Sequence, residues 1–311
     1  MNDFYIRLLY LLLFDFKLQV VFGSLVMKII ECPRDAMQGL PDFIPTERKV
    51  NYINQLLKVG FHTIDFGSFV SPKAIPQLRD TADVLSKLEL TSSSSKLLAI
   101  VANARGGADA CNYQEISYLG FPLSISETFQ QRNTNKSIIE ALNIVNELQE
   151  LCIKHSKTQV VYISMGFGNP YGDPYDMGVV ENFADILSTL GIEIISLADT
   201  IGVAQPDQIT YLFKSLTSRF SKIEFGAHLH AQPFNSTAKI EAAYVSGCQR
   251  FDGAIRGFGG CPMAKDELVG NMPTEEIISF LDSKHDAPEL NRNEFEKALK
   301  MAELVFGPPA I

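Results

Sequence analysis

The chain of 311 residues has no Cys-x-x-Cys pair, and its five cysteines are an odd number at scattered positions. That excludes a disulfide framework and points to free thiols in a reducing compartment, so a cytoplasmic location is expected. An excess of basic residues is also missing: 27 Lys and Arg against 36 Asp and Glu give a formal net charge of −9 and a pI near 5.1. Neither nucleic acid nor a membrane surface is therefore expected as a partner, although a local basic pocket for a phosphorylated ligand is compatible with this balance. No apolar run reaches the roughly 20 residues that span a bilayer. Residues 1–26 come nearest, but Asp15 and Lys17 interrupt the stretch centred on Leu8–Phe14. Arg7 ahead of that stretch fits a secretory signal, whereas Asp3 weakens its basic flank. Met27 stands directly before the first convincing strand, so the reading adopted is an apolar extension over 1–26 created by a start assigned upstream of the true one. Internal repeats are lacking, as are low-complexity tracts beyond Ser92–Ser95 and any composition break that would mark a linker. One catalytic domain over residues 27–311 is expected.

What is present is an alternation of short aliphatic or β-branched runs with longer amphipathic segments, the pattern of β-α units around a parallel sheet. Candidate strands are Lys28–Cys32, Thr63–Phe66, Leu97–Val101, Gly120–Ile125, Gln159–Ser164, Glu193–Leu197, Glu224–His228 and Arg250–Ala254. Most are almost wholly apolar, as strands covered on both faces must be. Helices are expected to open at Pro45-Thr46-Glu47, Asn135-Lys136-Ser137 and Thr274-Glu275-Glu276, and to stop at Gly60, Gly191 and Gly247. Eight such units in roughly 260 residues match a closed (β/α)₈ TIM barrel, with Asn291–Phe306 as a C-terminal helix packed on its outside. An open doubly wound sheet is disfavoured because no Gly-x-Gly-x-x-Gly turn follows the first strand.

In a barrel of this kind the reactive side chains gather at the C-terminal ends of the strands. Strand one ends in Arg34-Asp35, strand two in Asp65, strand six in Asp199-Thr200 and strand seven in His228-Leu229-His230. Residues two apart on a strand point the same way, so both imidazoles project together. Taken alone, a His-x-His is equally a hydrogen-bonded pair at a strand end. Asp35 changes that balance, because closure brings strand one beside strand eight and close to strand seven. Oxygen plus imidazole ligation suits Mg²⁺ or Mn²⁺, and Co²⁺ or Zn²⁺ can also bind such a set. After strand eight, Gly257-Phe258-Gly259-Gly260-Cys261-Pro262 reads either as a mobile loop carrying Cys261 over the mouth or as a tight turn with an inert thiol. Asn271 reads as a helix cap or as an amide-oxygen ligand for the same ion.

Taken in order, Cys32-Pro33-Arg34-Asp35-Ala36-Met37-Gln38, Ser68-Phe69-Val70-Ser71-Pro72-Lys73, Asp199-Thr200-Ile201-Gly202, His228-Leu229-His230, Gly257-Phe258-Gly259-Gly260-Cys261-Pro262 and Gly270-Asn271 resemble the 3-hydroxy-3-methylglutaryl-CoA lyases. These lyases belong to the DRE-TIM group of metal-dependent lyases and acyl-CoA synthases, and the resemblance runs from about residue 28 to residue 284. It implies Asp35, His228, His230 and Asn271 as metal ligands, Arg34 as the cation beside a developing enolate, and Cys261 as the donor that protonates the departing carbanion. It further implies that Gln38, Asp65, Asp199 and Glu275 position substrate or support the metal, with the two aspartates otherwise read as barrel salt bridges and Glu275 as a helix-dipole partner. The implied reaction is retro-Claisen cleavage of a CoA thioester to acetyl-CoA and acetoacetate, as in leucine breakdown or ketone-body formation, by a homo-oligomer, expected to be a dimer.

Several positions depart from the lyase pattern: Ala36 and Ala231 replace a glycine and an aspartate, Pro233 enters a glycine loop, Met165 and Asn169 stand where cysteines are common, and Val160 stands where an arginine is common. They leave the metal set intact and keep a related 3-hydroxyacyl-CoA open as substrate. Two rivals stand beside this reading, an acyl-CoA condensing synthase of the isopropylmalate or homocitrate type and a non-catalytic CoA- or metal-binding barrel. The Gly-Gly-Cys-Pro sequence opposes the synthase, which carries a Gly-Glu-Arg type loop there.

Overall fold

The apolar runs form eight parallel strands: β1 Lys28–Glu31, β2 Thr63–Ser68, β3 Lys96–Ile100, β4 Ile116–Ser124, β5 Thr158–Ser164, β6 Ile194–Asp199, β7 Glu224–Leu229 and β8 Arg250–Gly253. Each pairs with the next, and β1 closes the barrel on β8 with Lys28 opposite Arg250 and Ile30 opposite Asp252. This computed structural model describes residues 27–232, 234–260 and 270–307. The reading of 1–26, and the positions of Pro233 and Cys261, lie outside the described residues. Among the described residues no helix is long and apolar enough to cross a membrane.

The parity of the strands divides the core in two. Leu97, Ala99, Val161, Ile163, Ile195, Leu197 and Leu229 face outward and pack beneath the helices in one continuous layer. Leu98, Ile100, Tyr118, Val160, Tyr162 and Ile194 form a separate cluster inside the barrel. The same inward parity carries polar groups on β2, β7 and β8, which is where the site develops.

Helix boundaries follow local chemistry. Thr46–Val59 starts after Pro45 and ends at Gly60, whose φ of 88° only glycine adopts without strain. Ser137 and Glu140 form a reciprocal capping box on Ile138–Lys154, the hydroxyl accepting from the Glu140 N–H at 3.2 Å and the carboxylate from the Ser137 N–H at 2.7 Å. The C-terminal helix Arg292–Phe306, capped by Asn291, lies against Thr46–Val59 with the Tyr52 and Phe306 rings edge to face at 5.3 Å.

One expectation needs correction. Arg34 and Asp35 do not extend strand one but lie in a short helix, Pro33–Gln38. Pro33 has no N–H for the ladder and its fixed φ suits a first helical turn, so the strand stops at Glu31 and the chain coils over the barrel mouth.

Glu31 itself faces outward and is completely buried; its Oε1 accepts from the Ile255 N–H at 2.9 Å and its Oε2 from the Thr274 hydroxyl at 2.6 Å. Burial pushes its carboxyl up to about 8, against the pull of those two bonds. The folded chain therefore keeps a proton that the unfolded chain releases near the ordinary glutamate range, so stability declines as pH rises from there through about 8. Glu31→Gln keeps both contacts, with the amide NH₂ donating to Thr274, and removes the titration. We expect the variant to match wild type at pH 5 and to melt roughly 5 °C or more higher at pH 9, as read by thermal unfolding at the two pH values; equal melting at pH 9 would remove Glu31 as a pH-dependent element.

Candidate active site

Asp35, His228 and His230 come together at the C-terminal mouth, with one ligand-type atom of each within 4.8 Å of the others. The helix after β1 supplies the aspartate and consecutive inward positions at the end of β7 supply the imidazoles, while Leu229 between them points into the outer core. His228 Nε2 lies 3.6 Å from Asp35 Oδ2. His230 is paired across to Asn271 in an isolated antiparallel bridge, and its Nδ1 is buried with no hydrogen-bond partner among the described residues. A buried imidazole without a hydrogen-bond partner on its Nδ1, grouped with a carboxylate and a second imidazole, fits a divalent cation. Asn271 sits beside this set, its Nδ2 donating to the Phe258 carbonyl at 2.9 Å, which leaves its amide oxygen as the atom that could face a cation.

Charges order the site. Arg34 donates from Nε and Nη2 to Asp65 Oδ2 at 3.0 and 2.5 Å, and from Nη1 to Asp35 Oδ1 at 3.0 Å and Gln38 Oε1 at 3.1 Å. Gln38 Nε2 in turn donates to Asp35 Oδ1. Burial alone would push the Asp35 carboxyl up, but Arg34 and His228 outweigh it and hold Asp35 well below the usual carboxylate range. For Asp65 burial prevails, lifting it to about 6 although Arg34 pulls the other way. His228 goes up to about 10 against its burial because Asp252 and Asp35 hold its proton, whereas burial and the neighbouring His228 take His230 down to about 4. His230 thus offers a neutral imidazole.

The mouth encloses a cavity of 430 Å³, with Arg34, Asp35, Gln38, His228 and His230 on one side and the apolar Val70, Ile100 and Pro122 across from them. A larger hollow of 910 Å³ beside the helix Pro206–Arg219 is open to solvent and contains none of these groups.

Asp199 and Glu275 do not line the cavity. Asp199 aligns with Leu229 across β6 and β7 and so faces outward. Its oxygens accept from the Val203 and Ala204 N–H groups at 2.8 and 3.1 Å and from Lys239 Nζ at 2.7 Å. Lys239 also donates to the His230 carbonyl at 2.7 Å, so among the described residues Asp199 reaches the site through Lys239 and the backbone of His230. Glu275 accepts from the Arg256 N–H at 3.0 Å and steadies the turn after β8. Val160, at the position where lyases commonly have arginine, lies in the apolar barrel interior below the cavity. Ser126 and Asn135, in the segment after β4, act as helix caps.

Asp252 was not foreseen. Its Oδ2 lies 3.1 Å from His228 Nδ1 and fixes the ring so that Nε2 faces Asp35. Below it, Arg250 is completely buried, with Nε 4.0 Å from Asp252 Oδ1, Nη1 3.6 Å from Glu224 Oε1 and the guanidinium 5.7 Å from the Tyr118 ring centre. Gly226 gives it room, since a Cβ there would sit 3.0 Å from Arg250 Cδ. The sequence does carry a signal for this: Arg250-Phe251-Asp252 places two charges at alternate positions of a doubly covered strand, so both share one face. We expect Asp252→Asn to weaken Mn²⁺ binding about 10- to 100-fold. An EPR titration of free Mn²⁺ measures this, and an unchanged affinity would remove Asp252 from the support of the site.

The HMGL-like family model matches residues 27–305. A curated hydroxymethylglutaryl-CoA lyase of Bacillus subtilis, YngG, is 34% identical over 277 residues, covering 89% of this chain and 92% of the relative. The crystal structure of the Bacillus subtilis HMG-CoA lyase superposes with a TM-score of 0.84 at 34% identity, covering 91% of this chain and 95% of the other. An HMG-CoA lyase of Acinetobacter baumannii, solved in complex with coenzyme A and 3-methylmalate, gives a TM-score of 0.84 at 28% identity over 93% of this chain and 94% of the other.

Proposed function

The chain belongs to the HMGL-like family, and from that premise we propose that it is a carbon-carbon lyase that cleaves 3-hydroxy-3-methylglutaryl-CoA to acetyl-CoA and acetoacetate. The observation that carries this reading is the convergence of Asp35, His228, His230 and Arg34 on one cavity at the barrel mouth. Asp35, His228 and His230 would hold a divalent cation, Mg²⁺ or Mn²⁺ by the hardness of the set, with Asn271 as a further ligand. When bound, such an ion lowers the pKa of a substrate hydroxyl and offsets its negative charge. Asp35, on the cavity wall beside the ligand set, is assigned the hydroxyl proton. Cleavage of the C2–C3 bond then leaves a thioester enolate, whose charge Arg34 faces from the same wall of the cavity. Gln38 and Asp65 keep the guanidinium in place, and Val70, Ile100 and Pro122 keep water from the opposite side. Cys261 is assigned the proton transfer that turns the enolate into acetyl-CoA.

The four described cysteines, all free and buried, support the cytoplasmic placement. The test is a metal-supplemented coupled assay for acetoacetate from 3-hydroxy-3-methylglutaryl-CoA, in which product is expected only with added Mg²⁺ or Mn²⁺. Release of CoA from acetyl-CoA and a 2-oxo acid, with no acetoacetate, would overturn the lyase reading in favour of a condensing synthase. Cys261→Ala is expected to leave Mn²⁺ binding unchanged and to lower kcat by roughly 10²-fold or more; full activity would take that residue out of the mechanism.

A further inference from the structure

Directly beneath the triad a second group of ligand-type side chains converges. Cys32, His228 and Asp252 present a thiol, an imidazole and a carboxylate with one atom of each within 4.8 Å of the others. Cys32 sits where β1 gives way to the helix Pro33–Gln38; it is 1% exposed, and among the described residues its Sγ donates one long hydrogen bond of 3.7 Å, to the Ile30 carbonyl. Asp252 Oδ2 faces His228, and its Oδ1 has no hydrogen-bond partner among the described residues. Asp65 Oδ1 is orphaned in the same way, and both carboxylates crowd the Cys32 thiol with negative charge. Two buried aspartates, each with one oxygen that accepts no hydrogen bond among the described residues, thus flank the thiol inside the barrel, and one of them also holds the imidazole.

The donor set differs in kind from the one above it. Asp35, His228 and His230 offer one oxygen and two nitrogens. The lower group adds sulfur, which favours the softer, later divalent ions. The two groups also share His228, whose Nε2 faces Asp35 and whose Nδ1 faces Asp252. A neutral imidazole has one lone pair and one N–H. An ion held below takes the Nδ1 lone pair and leaves the proton on Nε2, which then cannot ligate above.

We propose that Cys32, His228 and Asp252 form a second metal site, for a thiophilic divalent cation such as Cd²⁺ or Zn²⁺, whose filling excludes an ion from the Asp35, His228 and His230 triad. Filling the lower site while the upper ion leaves releases the Cys32 thiol proton to solvent as the metal–sulfur bond forms, and the proton on His228 Nδ1 passes to the Nε2 that the upper ion vacates. The cavity above supplies the way in, since His228 lines it. The inference rests on the upper triad holding a metal, and not on which reaction that metal serves.

The test uses the full chain with Cys261→Ser, so that the loop thiol contributes no signal. Titration with Cd²⁺ is expected to give a thiolate-to-cadmium charge-transfer band in the ultraviolet and to expel bound Mn²⁺, followed by EPR. Cys32→Ser in the same background is expected to lose the band and at least about tenfold in Cd²⁺ affinity while holding Mn²⁺ within about twofold. Cys32→Ala is the companion variant and should behave alike, so that a folding defect peculiar to serine cannot decide the matter. A band that persists without Cys32, or Cd²⁺ binding that leaves Mn²⁺ in place, would overturn the proposal. So would loss of Mn²⁺ binding in both Cys32 variants, because the thiol would then be a support of the upper site.

Discussion

His230→Ala is expected to abolish Mn²⁺ binding and turnover together, with kcat/KM falling by on the order of 10³-fold or more. A cation that stabilises a developing alkoxide contributes several kcal/mol, and each 1.4 kcal/mol is about tenfold in rate. The position suits a clean test. His230 is held by its backbone, through Lys239 on its carbonyl and the bridge to Asn271, so trimming the imidazole leaves the end of β7 in place. The ring contributes an unpartnered buried nitrogen, so its removal costs the fold little. The thermal midpoint should therefore stay near wild type while metal affinity collapses. Turnover that survives without measurable Mn²⁺ binding would remove the cation from the chemistry. Preserved binding with lost turnover would instead make His230 a substrate contact.

Much of this arrangement was legible in the sequence because the two signals involved are local. A doubly covered strand reads as a short apolar run, and all eight candidate strands correspond to observed ones, β4 beginning four residues earlier than expected. His-x-His on one strand fixes a shared direction without further knowledge, and closure of β1 on β8 brings Asp35 to it. Parity explains what was misplaced. Asp199 closes β6 just as His228 lies near the end of β7, yet it registers with Leu229, so its side chain belongs to the outer layer. Asp252 and Lys239 escaped notice for another reason. Their roles arise from contacts between neighbouring β-α units, β7 with β8 and β7 with the helix Ser236–Tyr244, and no spacing within one segment encodes them. Glu275 looked like a helix-dipole residue or a substrate contact, and its partner is the Arg256 amide 19 positions away.

Arg34→Lys is expected to lower kcat by on the order of 10²-fold while leaving Mn²⁺ affinity within about threefold, and this separation follows from the shape of the guanidinium. Three of its edges are spoken for: Nε and Nη2 clamp Asp65, and Nη1 bridges Asp35 and Gln38. A lysine ammonium preserves the charge that keeps Asp35 ionised, so Asp35 stays available as the proposed ligand. It cannot reach both carboxylates in a fixed plane, so the cation beside the enolate loses its position. A group that acts only on the developing charge lowers kcat and kcat/KM equally, and KM should therefore hardly move. Arg34→Gln removes the charge as well; Asp35, buried and held ionised chiefly by the guanidinium, then takes up a proton more readily. That variant should lose Mn²⁺ affinity in addition to kcat. If saturating Mn²⁺ restores full kcat in both variants, Arg34 serves only to assemble the metal site, and enolate stabilisation must come from elsewhere in the cavity.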